Sequence, residues 1–235
     1  NSMKKTLKKV ITTMLAVVLI LVAIPLQVNA TYWGYIEQPK VIEFQKTVVY
    51  TLNPKKTQFP EYTSIGWAGT FGHPDPKYKI TDIKSSNTAV ATPFTEGEKS
   101  GTTTLNVYPH KAGTAIISCR VNGKTYKTKF IARKYVCPLT YIKLGSTTMT
   151  ANKFKKTDEI HLSYRKYAKK NQKISVKPAK GWKIKGIYCS NGTKYMTEVK
   201  NNSSYFINTE NDWYMYVFFI NPTTQQKEFI NIYLD

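Results

Sequence analysis

Three cysteines, three histidines and a few neighbouring carboxylates are the first side chains to weigh for bond-making chemistry. A catalytic thiol needs an imidazole placed to draw off its proton. His73, His110 and His161 sit in Pro-flanked or polar settings, with no nucleophile motif beside any of them. No two histidines stand at ligand spacing and no Cys-x-x-Cys occurs, so no metal centre is expected. A glycosidase would need two carboxyl groups facing each other across a sugar bond. The close pairs Glu96/Glu98, Asp158/Glu159 and Glu210/Asp212 lie in loop-like or turn-like sequence and read as solvated charges. The expectation is therefore a chain with no catalytic residue, metal or cofactor. Cys119 alternates with Ile117 and Val121, which puts it on a core face as an inert thiol. Cys137 and Cys189 are spaced so that a bridge within the C-terminal half is possible, with Cys119 left over.

Binding chemistry is better supplied. In the run 213–220, Trp213, Met215, Val217 and Phe219 form one alternating face and are expected in a core. Tyr214, Tyr216 and Phe218 form the other, which either packs on a neighbouring domain or makes an exposed platform. Planar rings stack on sugars and bases, so Tyr214 and Tyr216 are candidate glycan-stacking residues. Trp67, in a Gly/Pro-rich stretch, and Trp182 are further candidates; Trp67 reads either as a ligand finger on a loop or as a plug at the end of a sandwich.

The strongest signal is basic. Lys153, Lys155, Lys156, Arg165, Lys166, Lys169, Lys170, Lys173, Lys177, Lys180, Lys183 and Lys185 fall in one short stretch, opposed only by Asp158 and Glu159. Lysine blunts exposed sheet edges, but one or two residues would do that, and this many suggest an anion-binding surface. Lys outnumbers Arg, which suits diffuse attraction to a polyanion rather than bidentate reading of one phosphate.

Where that polyanion would lie follows from the N-terminus. Lys4, Lys5, Lys8 and Lys9 precede an apolar run over 14–24, then Pro25 and Val28-Asn29-Ala30. The run is too short for a membrane-spanning helix, which needs roughly 20 residues, although a single-span anchor is the competing reading. A basic start, a short apolar stretch and a small-residue end make a secretory signal, and the paired lysines resemble Gram-positive export signals. Asn1 and Ser2 ahead of Met3 read as a foreign scar. The expected location is the outside of a bacterium, secreted or at the cell surface. The expected partner is then an anionic envelope polymer or an extracellular glycan, not nucleic acid, with no membrane span once the signal is cleaved.

The elements that must position these residues read as β throughout. The chain has 235 residues, 41% hydrophobic and 13% aromatic, with a formal net charge of +21. That composition excludes a disordered polybasic tail, a collagen-like repeat and a disulfide-built scaffold. Residues 99–185 hold 21 basic side chains against two acidic ones, so the charge is concentrated in the middle of the chain. Short runs rich in Val, Ile, Thr, Tyr and Phe alternate with turn residues, and no 3.6-residue apolar period is evident. The runs 41–44 and 48–50 read as one opening strand. Asn122-Gly123, between alternating runs, marks a hairpin. On its second strand Tyr126, Thr128, Phe130 and Ala132 share the expected core face, with Lys127, Lys129 and Arg133 on the solvent face. An internal repeat aligns 79–87 with 183–191 and the hairpin 121–131 with 220–230, at nearly one spacing. This predicts residues 1–30 as leader, 31–135 as one β-sandwich and 136–235 as a second, more divergent copy.

The segment Ile83 to Thr92, with its Ser-Ser-Asn-Thr-Ala-Val-Ala core, followed by Lys111-Ala112-Gly113-Thr114-Ala115-Ile116-Ile117 and Gly123-Lys124-Thr125-Tyr126, resembles the bacterial Ig-like group 2 domain family. The likeness covers roughly 78–134, and the second copy keeps the order without the Val-Ala and Gly-Thr-Ala signatures. It implies an all-β chain of two tandem Ig-like β-sandwich domains, acting as a secreted or surface spacer or adhesion module without catalytic residues.

Overall fold

The structure is a computed structural model that describes residues 41–54, 61–69, 75–97, 101–191, 196–208 and 213–235. The segment read as an export signal, His73, Glu98 and the Glu210/Asp212 pair lie outside the described residues. Residues Pro39–Asp235 form one unit.

The first sandwich is built from β1 (Val41–Phe44), β2 (Thr47–Leu52), β3 (Thr63–Gly69), β4 (Thr81–Ser85), β5 (Ala91–Glu96), β6 (Thr102–Pro109), β7 (Gly113–Val121) and β8 (Lys124–Lys134). One sheet runs β1-β3-β6-β5 and the other β2-β8-β7-β4. The expected single opening strand is in fact two. β1 pairs antiparallel with β3, and β2 pairs in parallel with the last strand β8. The chain changes sheets over Gln45 and Lys46, held there because Gln45 N–H donates to the Ile65 carbonyl, Lys129 N–H to the Lys46 carbonyl and Thr128 Oγ1 to the Gln45 carbonyl. An opening segment shared between two sheets, closed by hairpin-linked final strands, is Ig-like organisation.

The second sandwich repeats the plan with β9 (Leu139–Leu144), β10 (Thr147–Thr150), β11 (Glu159–Leu162), β12 (Lys170–Pro178), β13 (Lys183–Asn191), β14 (Thr197–Glu198), β15 (Ser204–Ile207), β16 (Trp213–Ile220) and β17 (Lys227–Leu234). Its sheets are β10-β9-β12-β15 and β11-β17-β16-β13-β14. β11 lies parallel to the last strand, as β2 does in the first copy. The repeated segments 79–87 and 183–191 are β4 with its following turn and β13, strands in the same topological position. The repeated hairpins are β7–β8 and β16–β17. The tandem Ig-like reading of the sequence therefore holds at the level of fold.

Alternation explains why these runs become strands. On β8 the side chains of Thr128, Phe130 and Ala132 are buried while Lys127 and Lys129 face water. On β16 Trp213, Met215, Val217 and Phe219 are all fully buried. Each large apolar side chain so enclosed contributes about 1.5–3 kcal/mol, and they gather into two separate cores, one per sandwich. Asn122 and Gly123 both take positive φ (48° and 73°), as the hairpin signal requires.

A polar cluster joins the sandwiches. Thr51 Oγ1, on β2, donates to Glu228 Oε1 at 2.7 Å across the junction. Gln226 Nε2 donates to the same carboxylate oxygen at 2.8 Å and to the Lys134 carbonyl at 3.1 Å. Glu228 is only 6% exposed. Burial is the main reason its carboxyl is pushed up to about 7, against the pull of the Thr51 and Gln226 hydrogen bonds. The buried Tyr135 hydroxyl and the Cys137 thiol, both also raised chiefly by burial, lie in the same electrostatic neighbourhood.

Candidate functional site

The outer face of the β11-β17-β16-β13-β14 sheet is aromatic. β16 alternates strictly between buried and half-buried residues, so Tyr214, Tyr216 and Phe218 all project outward. Pairing register brings rings from other strands to them. Tyr188 on β13 lies opposite Tyr216, Tyr233 on β17 lies opposite Tyr214, and Phe229 on β17 lies opposite Phe218. The rings pack on one another: Tyr188 stacks on Tyr216 at 4.9 Å, Phe218 on Phe229 at 4.7 Å, and Tyr216 meets Phe229 edge-on at 6.0 Å. His161 on β11 extends the row, stacked at 4.9 Å on Tyr233, which lies 6.2 Å from Tyr214. Offset and edge contacts of this kind are favoured by the ring quadrupole, and they hold the rings at set tilts.

Two local features fix that surface. Gly186 has no side chain, and Tyr188 uses the space: a Cβ there would lie 2.3 Å from Tyr188 Cε2. The ring is thus laid along the sheet toward Tyr216. At the other end His161 Nδ1 is bonded to Asp235 Oδ2 at 2.5 Å, with Glu159 Oε1 at 3.9 Å from Nε2. The polar positions among the rings are Asn231, opposite Tyr216, and Glu198, opposite Tyr188. Phe229 is 46% exposed, so the platform reaches solvent. Of the four stacking candidates, then, Tyr214 and Tyr216 lie on one surface. Their partners Phe229 and Tyr233 come from the hairpin strand β17, and Tyr188 and His161 from β13 and β11 earlier in the chain.

The other two candidates are placed elsewhere. Trp182 is 7% exposed and belongs to the core of the second sandwich, its backbone N–H donating to the Ala179 carbonyl in a turn, so it takes no part in the aromatic face. Trp67 is not a loop finger: it lies within β3, half-buried, between Glu43 and Thr104 on the outer side of the first sandwich. A second aromatic group, absent from the sequence reading, is on that same sheet, where Phe94 stacks on Tyr108 at 4.2 Å and Tyr62 meets both edge-on.

Every basic residue of the run 153–185 is exposed, but the run does not make one face. Lys173 and Lys177 project from the outer side of β12, beside Lys143 of β9, which sits over the Tyr141 ring at 5.3 Å. Lys183 and Lys185 belong to β13 in the opposite sheet, Lys185 at a bulge between Ile184 and Gly186. Lys153 is in a 3-10 turn (Ala151–Phe154), with Lys155 and Lys156 just after it, and Arg165 and Lys166 are in a single helical turn (Tyr164–Tyr167). Lys169 sits at a positive-φ turn entering β12, Lys170 begins that strand and Lys180 is in the turn after it.

All three cysteines are free, so the structure does not contain the Cys137–Cys189 bridge that the sequence left possible. Cys189 faces the core of its sandwich, whereas the Cys137 thiol is turned to the Leu139 carbonyl. Burial pushes the Cys119 thiol up to about 11 and that of Cys189 to about 12, the condition of inert core thiols. Two of the carboxylates read as loop charges lie in strands instead: Glu96 ends β5 and accepts from the Asn106 amide at 2.9 Å, and Glu159 begins β11. Among the described residues no group of His, Cys, Asp and Glu could hold a metal ion, and no helix is long and apolar enough to cross a membrane.

No family model and no curated protein matches this chain. Solved structures that resemble it include the S-layer protein SbsC, domains 4 and 5, at 13% identity with a TM-score of 0.27 over 41% of this chain, which spans 52% of that one. SbsC domains 5–6 align at 12% identity with a TM-score of 0.29, over 83% of this chain and 99% of that one. The Yersinia pseudotuberculosis adhesin InvE aligns at 9% identity with a TM-score of 0.26, over 83% and 58%. Likeness at this level assigns neither family nor activity.

Proposed function

We propose that the chain is a non-catalytic, exported binding and adhesion module of the bacterial surface, and that its second sandwich holds a neutral glycan chain on the aromatic face of β13, β16 and β17. The observation that carries this is the unbroken set of ring contacts from Phe218 and Phe229 through Tyr216 to Tyr188, with Tyr214, Tyr233 and His161 beside it. A sugar ring has an apolar C–H face and a hydroxyl rim. Tyrosine offers an apolar face and a hydroxyl, and Asn231 and Glu198 add hydrogen-bonding groups at the same level of the sheet. Affinity electrophoresis through gels containing neutral polysaccharides tests the reading. The chain should be retarded by at least one of them, and a Tyr214→Ala/Tyr216→Ala variant should migrate freely. Unhindered migration of the parent chain through every gel would refute it.

A second reading, attachment to an anionic envelope polymer, is favoured by a different observation. The four strands β9, β10, β12 and β15 contain no Asp or Glu, and Lys143, Lys173 and Lys177 share their outer side. Such attachment would weaken steeply with salt, and it uses the opposite sheet from the aromatic platform.

A further inference from the structure

Between the two sandwiches lies a cleft of about 760 Å³, the size and position at which small-molecule sites commonly occur. One wall is β8 of the first sandwich, presenting Lys129, Arg133 and Lys134; the other is made by Trp182, Asn221 and Gln226 of the second. Among the described residues its lining includes no carboxylate. Arg133 is distinctive. Its Nε–H is buried and meets no acceptor among the described residues, an arrangement that costs stability and is rare for a charged group. Opposite it the polar groups are neutral. Asn221 Oδ1 accepts from the Thr223 and Thr224 N–H groups at 3.1 Å, which assigns the other end of the side-chain amide as a donor. Gln226 is held by its bonds to Lys134 and Glu228.

We infer that this cleft binds an anionic sugar unit, its carboxylate or phosphate group seated on Arg133 and Lys134 and its hydroxyls on the Asn221 and Thr224 side. Arg133 lines the cleft as a planar, permanently charged guanidinium, the side chain best matched to an oxyanion with two acceptor oxygens. Amide and hydroxyl groups on the facing wall match sugar hydroxyls, and no carboxylate in the lining repels the anion. The cleft lining contains none of the rings of the aromatic face and none of the basic residues of the run 153–185, and it stands whether or not either of those binds a glycan.

Calorimetric titration of the whole chain with trigalacturonate, a neutral trisaccharide (maltotriose) and inorganic phosphate tests this, with the Asn221 and Gln226 side-chain amides followed by NMR. Trigalacturonate should bind with shifts at both amides. Phosphate should bind at the same place at least tenfold more weakly if a sugar body is required, and maltotriose should not bind. Because Arg133→Gln alters a half-buried residue, Lys129→Gln/Lys134→Gln serves as a second, solvent-exposed variant; each should weaken trigalacturonate at least tenfold, whereas Lys173→Gln/Lys177→Gln should not. Equal affinity for maltotriose, undiminished binding by both cleft variants, amide shifts elsewhere in the molecule, or no binding of any probe would overturn the assignment.

Discussion

Replacing Glu228 by Gln isolates the energetics of the junction. The carboxylate is buried where β17 meets β2, and its ordinary value of 4.5 is raised to about 7 in the folded chain, mainly by loss of solvent. At about 1.4 kcal/mol per pH decade, that displacement corresponds to about 3 kcal/mol. The sign follows from proton binding: the folded state holds this proton more tightly than the unfolded state. The contribution is therefore complete below pH 4.5, is lost as pH rises to about 7, and stays lost above that. A glutamine is neutral throughout, and its carbonyl oxygen accepts from Thr51 Oγ1 and Gln226 Nε2 in the carboxylate's place. Urea unfolding of both proteins at intervals from pH 4.5 to 8 reads the difference directly. The two should have similar stabilities at the acid end and diverge, with the parent chain falling by up to about 3 kcal/mol relative to Glu228→Gln by pH 8. Other titrating groups cancel in the comparison. Parallel curves across the range would refute the claim that a desolvated carboxylate sits at the junction.

Other outcomes follow from single features. Gly186→Ala places a methyl 2.3 Å from the Tyr188 ring and should swing that ring off Tyr216, reducing glycan retention several-fold and changing the near-ultraviolet circular dichroism. Because the clash is with the end of a side chain, urea stability should move by no more than about 1 kcal/mol. Cys119 and Cys189, buried and with raised thiol values, should resist a disulfide reagent at pH 8 in the native chain and react after unfolding. Reduction should leave the intact mass unchanged, and a gain of two hydrogens would contradict the free thiols.

The sandwiches were readable because burial imposes a period of two. The alternations along β8 and β16 marked their core faces residue by residue, and the repeated segments marked equivalent strands. In the family-like segment the motif also has a packing cause: Gly113 lies against Val90, whose Cγ2 would be 2.6 Å from a Cβ there, so the Val-Ala and Gly-Thr-Ala pieces are one contact. The sheet change at Gln45 and Lys46 was not readable, since both halves of that run are extended and only long-range hydrogen bonds separate them. Trp182, a stacking candidate by residue type, stands opposite the solvent-facing Lys183 in the alternation and is buried at a turn. For the site, local sequence marked Tyr214 and Tyr216 but not the platform. Phe229 and Tyr233 join it through the β16–β17 hairpin, whereas Tyr188 and His161 join only through pairing with strands outside that hairpin, which no local pattern encodes. The lysine run shows the converse, because continuity in sequence does not carry across β12, the following turn and β13 into opposite sheets.

The central claim is that neutral-glycan binding by the second sandwich runs through stacked rings and not through charge. Retention of the full chain by the neutral polysaccharide it binds best, compared at low and 1 M salt for the parent and Tyr216→Ala, tests this most directly, since salt at that strength screens exposed charges within about 3 Å. The account predicts retention that is unchanged by salt and lost in Tyr216→Ala. Retention abolished by salt and indifferent to Tyr216→Ala would contradict it.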